Sequence, residues 1–168
     1  MATERAAIRI RHGTPDDSPA ILRVHRDSIL SLGIETYDLA EVESWAAGLV
    51  PERYVEAMNE GGETFIVAVA DDGEIAGFCS FKGNEVKGLY VAPESARRGV
   101  GSALLRQAEG TISAGGHRLI RIVASLSGQA FYERHGYRLI ERRDWKSRGG
   151  LVMAALAMEK ALPALHRG

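Results

Sequence analysis

Cysteine is almost missing: Cys79 stands alone among 168 residues. A lone thiol forms no internal disulfide and builds no thiolate metal site. The fold must therefore rest on its apolar core, and a reducing cytoplasm is the expected setting. Charge of one sign is equally scarce. The chain has 21 basic and 22 acidic residues, a net of -1, so no global positive field exists to hold a nucleic-acid backbone. Long hydrophobic runs are absent too. No apolar stretch reaches the roughly 18 residues of a membrane span. Residues 1–20 carry acids, arginines and two prolines in place of the apolar segment of a secretory leader. Nucleic acid and membrane are thus not expected as partners. What remains is 45% apolar and 26% charged, a globular composition that excludes disorder and fibre. The length suits a single domain over residues 1–168.

Ile8 and Ile10 alternate with polar neighbours, which predicts a short first strand. Thr14-Pro15-Asp16-Asp17 predicts a helix start, with proline in the first turn and acids at the positive helix end. Ile21, Val24 and Ile29 continue that helix and Gly33 closes it. Helices are also predicted over about 39–48 and 51–61. Residues 64–70 are β-rich, Asp71-Asp72-Gly73 is a turn, and 75–81 completes a hairpin. Another strand covers 86–91. Val100, Leu104, Ala108 and Ile112 then fall on one helical stripe that ends at Gly115-Gly116. Strands over 119–124, 137–140 and 151–158 and a short helix over 129–134 follow. Glu141-Arg142-Arg143-Asp144 reads as a solvated strand end. The order implies a mixed sheet with helices on its faces.

The most informative stretch is Glu94-Ser95-Ala96-Arg97-Arg98-Gly99-Val100-Gly101-Ser102, between a strand and a helix. Gly99 and Gly101 let the backbone approach a ligand closely, and the helix start supplies unpaired N–H donors. Together they suit an anion, above all a pyrophosphate, and Arg97 and Arg98 add charged donors. A tight turn with two solvated arginines is the plainer alternative. No P-loop is present, because Gly-Lys-Ser/Thr is missing. The dinucleotide fingerprint fails as well, because Leu104 holds the place of its third glycine.

Leu89-Tyr90-Val91-Ala92-Pro93, followed by Gly99-Val100-Gly101 and Leu104-Leu105, resembles the acetyl-coenzyme A signature of the GCN5-related N-acetyltransferases (GNAT). A second match follows at the expected distance: Ala124-Ser125-Leu126-Ser127, then Phe131-Tyr132-Glu133-Arg134-His135-Gly136-Tyr137. The resemblance covers residues 64–160. It implies an α/β (α+β) fold, a seven-stranded mixed sheet splayed between strands 4 and 5 with four or five flanking helices. It implies acetyl-coenzyme A as cofactor, held by Leu89, Tyr90, Val91, Arg97, Arg98, Gly99, Val100, Gly101, Ser102, Ser125, Ser127, Tyr132 and Arg134. The chain departs from the pattern in three places. Ala96 stands where Gln or Arg is usual, Arg97 where glycine is frequent, and Ser125 or Ser127 replaces an asparagine.

Attack of an amine on a thioester needs a neutral amine, a donor for the oxyanion and a proton for the departing thiolate. By the resemblance, Tyr132 is the candidate general acid, with a core tyrosine as the alternative. A main-chain N–H near Val91 is the candidate oxyanion donor. Glu85 is the candidate general base; strict alternation puts it on one strand face with Leu89 and Val91, and a solvated turn acid after Gly83-Asn84 is the equal alternative. Candidate acceptor-site residues are Ser28, Tyr37, Trp45 and Glu85, with Asp38 and Trp145 as further walls. Aromatics plus one acid would hold a cationic amine. His25 either lines that pocket or sits in the core, and Cys79 is expected in the core. The expected partner is an amine acceptor, a small molecule or a peptide, and the resemblance allows a homodimer. A non-catalytic acyl-coenzyme A binding or sensing module is the competing function.

Overall fold

The computed structural model describes residues 7–163. Residues 1–6, part of the stretch read for a leader, and residues 164–168 lie outside that description. The chain runs β1 (Ile8–His12), α1 (Ser18–Leu32), α2 (Leu39–Ala46), α3 (Pro51–Asn59), β2 (Thr64–Ala70), β3 (Ile75–Lys82), β4 (Glu85–Val91), α4 (Val100–Ala114), β5 (Leu119–Ser125), α5 (Gln129–Arg134), β6 (Arg138–Lys146) and β7 (Val152–Ala161). The seven strands form one sheet in the order β1-β2-β3-β4-β5-β7-β6. Every pairing is antiparallel except β4 with β5. This is the mixed, splayed sheet with flanking helices, here five, that the resemblance implied.

The helical stripe of α4 explains one face of the sheet. Val100, Leu104, Leu105, Ala108 and Ile112 are all buried, against Cys79, Phe81, Val86, Ile120, Ile122 and Met158. Burying each such side chain contributes roughly 1.5–3 kcal/mol. The other face carries α1 and α3: Ile21, Val24 and Tyr54 pack on Phe65, Val67 and Phe78. A third cluster joins Ile29, Tyr37, Val42 and Trp45 to Met153 of β7.

Two features of β4 place the site. Its ladder with β5 has only two rungs, Glu85 opposite Arg121 and Val86 opposite Ile122, and beyond them the strands part. On its other side Ser80 pairs with Gly88 and Phe81 with Val86, so Lys87 is an extra, bulged residue. A bulge bends its strand and reverses the alternation of the residues beyond it. That corrects one expectation. Val86, not Glu85, shares a face with Leu89 and Val91, and Glu85 lies on the opposite face with Tyr90.

β6 also differs from its sequence reading. It extends to Lys146, so Glu141-Arg142-Arg143-Asp144 is regular strand, not a strand end. Backbone pairing with β7 satisfies this edge strand, whose side chains are mostly exposed, so charged residues fit there and no apolar alternation marks it. No helix among the described residues is long and apolar enough to cross a membrane.

Candidate active site

The turn from β4 into α4 leaves three backbone amides without helical partners. Gly99 caps α4 with a left-handed φ of 83°, and the space around its Cα on the side-chain side is open for 4 Å. Arg97 is the one described non-glycine residue with positive φ, at 62°. It occupies the position where the resembled family often has glycine, at a backbone cost of about 1 kcal/mol. The first α4 amide to find a helical acceptor is that of Ala103, bonded to the Gly99 carbonyl at 3.0 Å. The amides of Val100, Gly101 and Ser102 are therefore free for a ligand at the positive end of a 15-residue helix.

These amides open onto a cleft of about 480 Å³, lined by Lys87 to Val91 of β4, Arg97, Gly99 to Ser102, Ser125, Ser127, Tyr132 and Arg134. Of the expected cofactor contacts only Arg98 does not line it. Ser125 and Ser127 now differ. The Ser127 hydroxyl is shared with Thr36 Oγ1 at 2.9 Å, whereas Ser125 lines this cleft and the neighbouring one. Ser102 is held from behind. His135 Nδ1 can only donate to the Phe131 carbonyl at 3.1 Å, so in the neutral ring Nε2 accepts the Ser102 hydroxyl proton at 2.9 Å. Burial lowers the His135 pKa, which favours that neutral ring.

Tyr132 is buried on α5 with its ring edge against Tyr137, at 5.5 Å between centroids. Burial pushes its phenol well above the usual range, and nearby Cys79 and Tyr90 push it the same way. The hydroxyl is thus firmly protonated, as a proton donor to a thiolate must be. Cys79 is fully buried with its thiol pushed up to about 12, so it is no nucleophile.

A second cleft of about 480 Å³ lies on the α1 and α3 side. Glu85, Tyr37, Trp45 and Trp145 line it, and so do His25, Arg53, Tyr54 and Arg148. Glu85 is half exposed and sits 3.2 Å from Lys87 Nζ. The two clefts share Trp45, Lys87, Gly88, Tyr90, Val123, Ala124 and Ser125, so they meet where β4 and β5 part.

Three expected acceptor residues behave differently. Ser28 lines the α4-side cleft only. The Tyr37 hydroxyl is already engaged, donating to the Ala154 carbonyl at 2.6 Å and accepting the Leu126 amide at 3.0 Å. Asp38 is the N-cap of α2, its carboxylate accepting the Glu41 amide at 2.8 Å, and it lines neither cleft. A capping box is its local signal. Arg53, Tyr54, Lys87 and Arg148 escape the sequence reading. Arg148 sits in the β6–β7 turn, and no local pattern marks it.

A family model for the acetyltransferase (GNAT) domain matches residues 34–160. A GCN5-related N-acetyltransferase structure from Rhodopseudomonas palustris, described as aminotransferase class II, superposes with a TM-score of 0.85 at 26% identity, covering 96% of this chain and 99% of that one. The PaiA N-acetyltransferase of Thermoplasma acidophilum, solved in complex with coenzyme A, superposes at 0.72 with 23% identity, over 92% and 99%. The uncharacterized N-acetyltransferase YafP of Escherichia coli (strain K12) is 24% identical over 142 residues, 84% of this chain and 89% of that protein. The chain belongs to the GNAT acetyltransferases. As such it is an N-acetyltransferase that draws its acetyl group from acetyl-coenzyme A.

Proposed function

We propose that this chain, as one domain over residues 1–168, transfers the acetyl group of acetyl-coenzyme A directly to a primary amine of a small molecule or peptide while both are bound. The observation that carries this reading is the meeting of two clefts across the parted β4 and β5, one bearing the free α4 amides and the other bearing Glu85. A pyrophosphate fits the amides of Val100 to Ser102, with Arg97 and Arg134 as charged donors. The main chain between Lys87 and Val91, left unpaired by β5, offers bonds to the pantetheine arm and the donor for the oxyanion.

Glu85, on the amine side of the gap, takes the ammonium proton directly or through water. The amine nitrogen then bonds the acetyl carbon as the carbon–sulfur bond breaks, and the surplus proton on that nitrogen passes to solvent water. The Tyr132 hydroxyl gives its proton to the departing sulfur. Ser125, with access to both clefts, is the better placed of the two serines to touch the cofactor. Orientation supplies much of the rate, since no covalent enzyme intermediate is needed. A reducing cytoplasm suits the single buried thiol.

Calorimetry with coenzyme A and thiol release from acetyl-coenzyme A across a panel of amines test this reading. Binding together with amine-dependent thiol release is expected. Absence of coenzyme A binding refutes the site assignment, and binding without turnover of any amine favours the sensing module.

A further inference from the structure

The cleft on the α1 and α3 side carries a cation with no carboxylate in contact among the described residues. Arg148 reaches into it from the β6–β7 turn, half buried among aromatic rings. Its guanidinium is anchored at one edge only. Nε donates to the Ala47 carbonyl at 3.0 Å and Nη2 to the Trp45 carbonyl, while Nη1 makes no hydrogen bond among the described residues. No described carboxylate lies within 4.0 Å of it. Arg53 of α3 adds a second positive charge to the same cleft. Of the two acids there, Glu85 is already paired with Lys87, which leaves Glu63 against two arginines.

A second observation is independent of that charge count. His25 Nε2 is the one buried side-chain nitrogen or oxygen among the described residues without a hydrogen-bond partner. The ring lines this cleft, with Nδ1 on the Tyr54 hydroxyl at 2.9 Å and one face against Tyr90 at 4.1 Å. The unpaired guanidinium edge calls for a ligand oxygen, and the ring beside it carries a buried nitrogen that no described group satisfies.

The placement of Arg148 is itself elaborate. Gly149 N donates to the Ser44 carbonyl at 3.0 Å, and the Ser44 and Ser147 hydroxyls meet at 2.5 Å. A Cβ on Gly149 would sit 2.7 Å from Ser44 Cα, so glycine is needed for this approach. The turn is clamped to α2 on both sides of Arg148.

We propose that the acceptor is a small amine that also carries an acidic group on an apolar body, as a free amino acid does, with the acid on Arg148 and Arg53. This rests on the acetyl-transfer reading above and narrows its acceptor. The aromatic walls of Tyr54, Phe65, Phe78, Trp45 and Trp145 take the apolar body. Pairing the acid with arginine also removes the charge that holds an amino acid's own ammonium protonated, which favours the neutral nucleophile. A peptide has an amide where this acid must be, so a peptide amine fits less well.

Matched acceptors test this. Leucine, methionine and phenylalanine are each compared with their carboxamides and their decarboxylated amines, by thiol release and by quenching of Trp45 and Trp145, the chain's two tryptophans. The expected result is a kcat/KM at least about tenfold higher for the acid-bearing member of a pair, as loss of a charged hydrogen bond implies. Arg148→Met should raise KM for the acid with little change in kcat, and leave the carboxamide within about threefold. Arg53→Gln, at an exposed position of α3, keeps the test sound where Arg148→Met unseats the turn, and should shift the same preference in the same direction. Equal or reversed preference, or no fluorescence response to any acid-bearing compound, overturns the acceptor assignment. Coenzyme A calorimetry on the same preparation separates the failures: binding with no acid preference sinks this inference alone, and no binding sinks the acetyl-transfer reading.

Discussion

Replacing His25 with asparagine should change how the protein's stability responds to acid. His25 is 9% exposed, and burial, with a smaller push from the Arg148 charge, lowers its pKa from the usual 6.5 to about 3. A depressed folded-state pKa means that the unfolded chain takes up the proton first as pH falls. The contribution of the neutral ring is therefore complete above pH 6.5 and is lost progressively toward pH 3. The linkage slope approaches about 1.4 kcal/mol per pH unit, so wild type should lose about 2.5 kcal/mol through this group between pH 7 and 4.5. Asparagine keeps a polar group for the Tyr54 hydroxyl but has no titrating ring. It should cost about 1–3 kcal/mol near neutral pH, because it leaves a gap beside Tyr90 and Phe78. Urea denaturation at a series of pH values from 7.5 to 4.5 reads both effects. The gap between the two proteins should be constant near neutrality and narrow steadily in acid. Parallel curves over the whole range would refute the burial of a neutral imidazole at this position.

Gly99→Ala should lower stability by about 1–2 kcal/mol through backbone strain alone, since no atom within 4 Å crowds the new methyl. It should also weaken coenzyme A about tenfold in calorimetry; unchanged affinity would remove that turn from the site. Tyr132→Phe should reduce kcat about tenfold to a hundredfold with coenzyme A affinity intact, and full turnover would exclude the phenol as proton donor. Glu85→Gln should reduce kcat/KM about a hundredfold and flatten the acidic limb of the pH–rate profile, and an unaltered limb would leave Glu85 a surface acid paired with Lys87.

The cofactor side is legible in the sequence because its chemistry is local. The donors of the α4 start lie within a few residues of one another, and the glycines that permit the turn belong to the same stretch. The stripe from Val100 to Ile112 and the hairpin of β2 and β3 follow from periods of a few residues, which a linear reading detects. Edge strand β6 is longer than its residue pattern suggests, because backbone pairing, with no buried face, holds most of it in place.

The acceptor side has no such signal. Arg148 is anchored by carbonyls 103 and 101 residues away, and His25 meets a hydroxyl 29 residues distant. Asp38 has the chemistry for the acid of that pocket, yet its own helix uses it as a cap. Glu85 faces opposite to what alternation gives, because the strand bulges at Lys87, beside Gly88, where it pairs with β3. Sequence alone thus determined the sheet-and-helix class, through short-range periodicity, and the family, through its resemblance in two local motifs, and it marked the glycine turn before α4 as a candidate anion site. Only tertiary structure decided which side chains line the second cleft, because long-range strand register and the docking of one turn onto a distant helix set those directions.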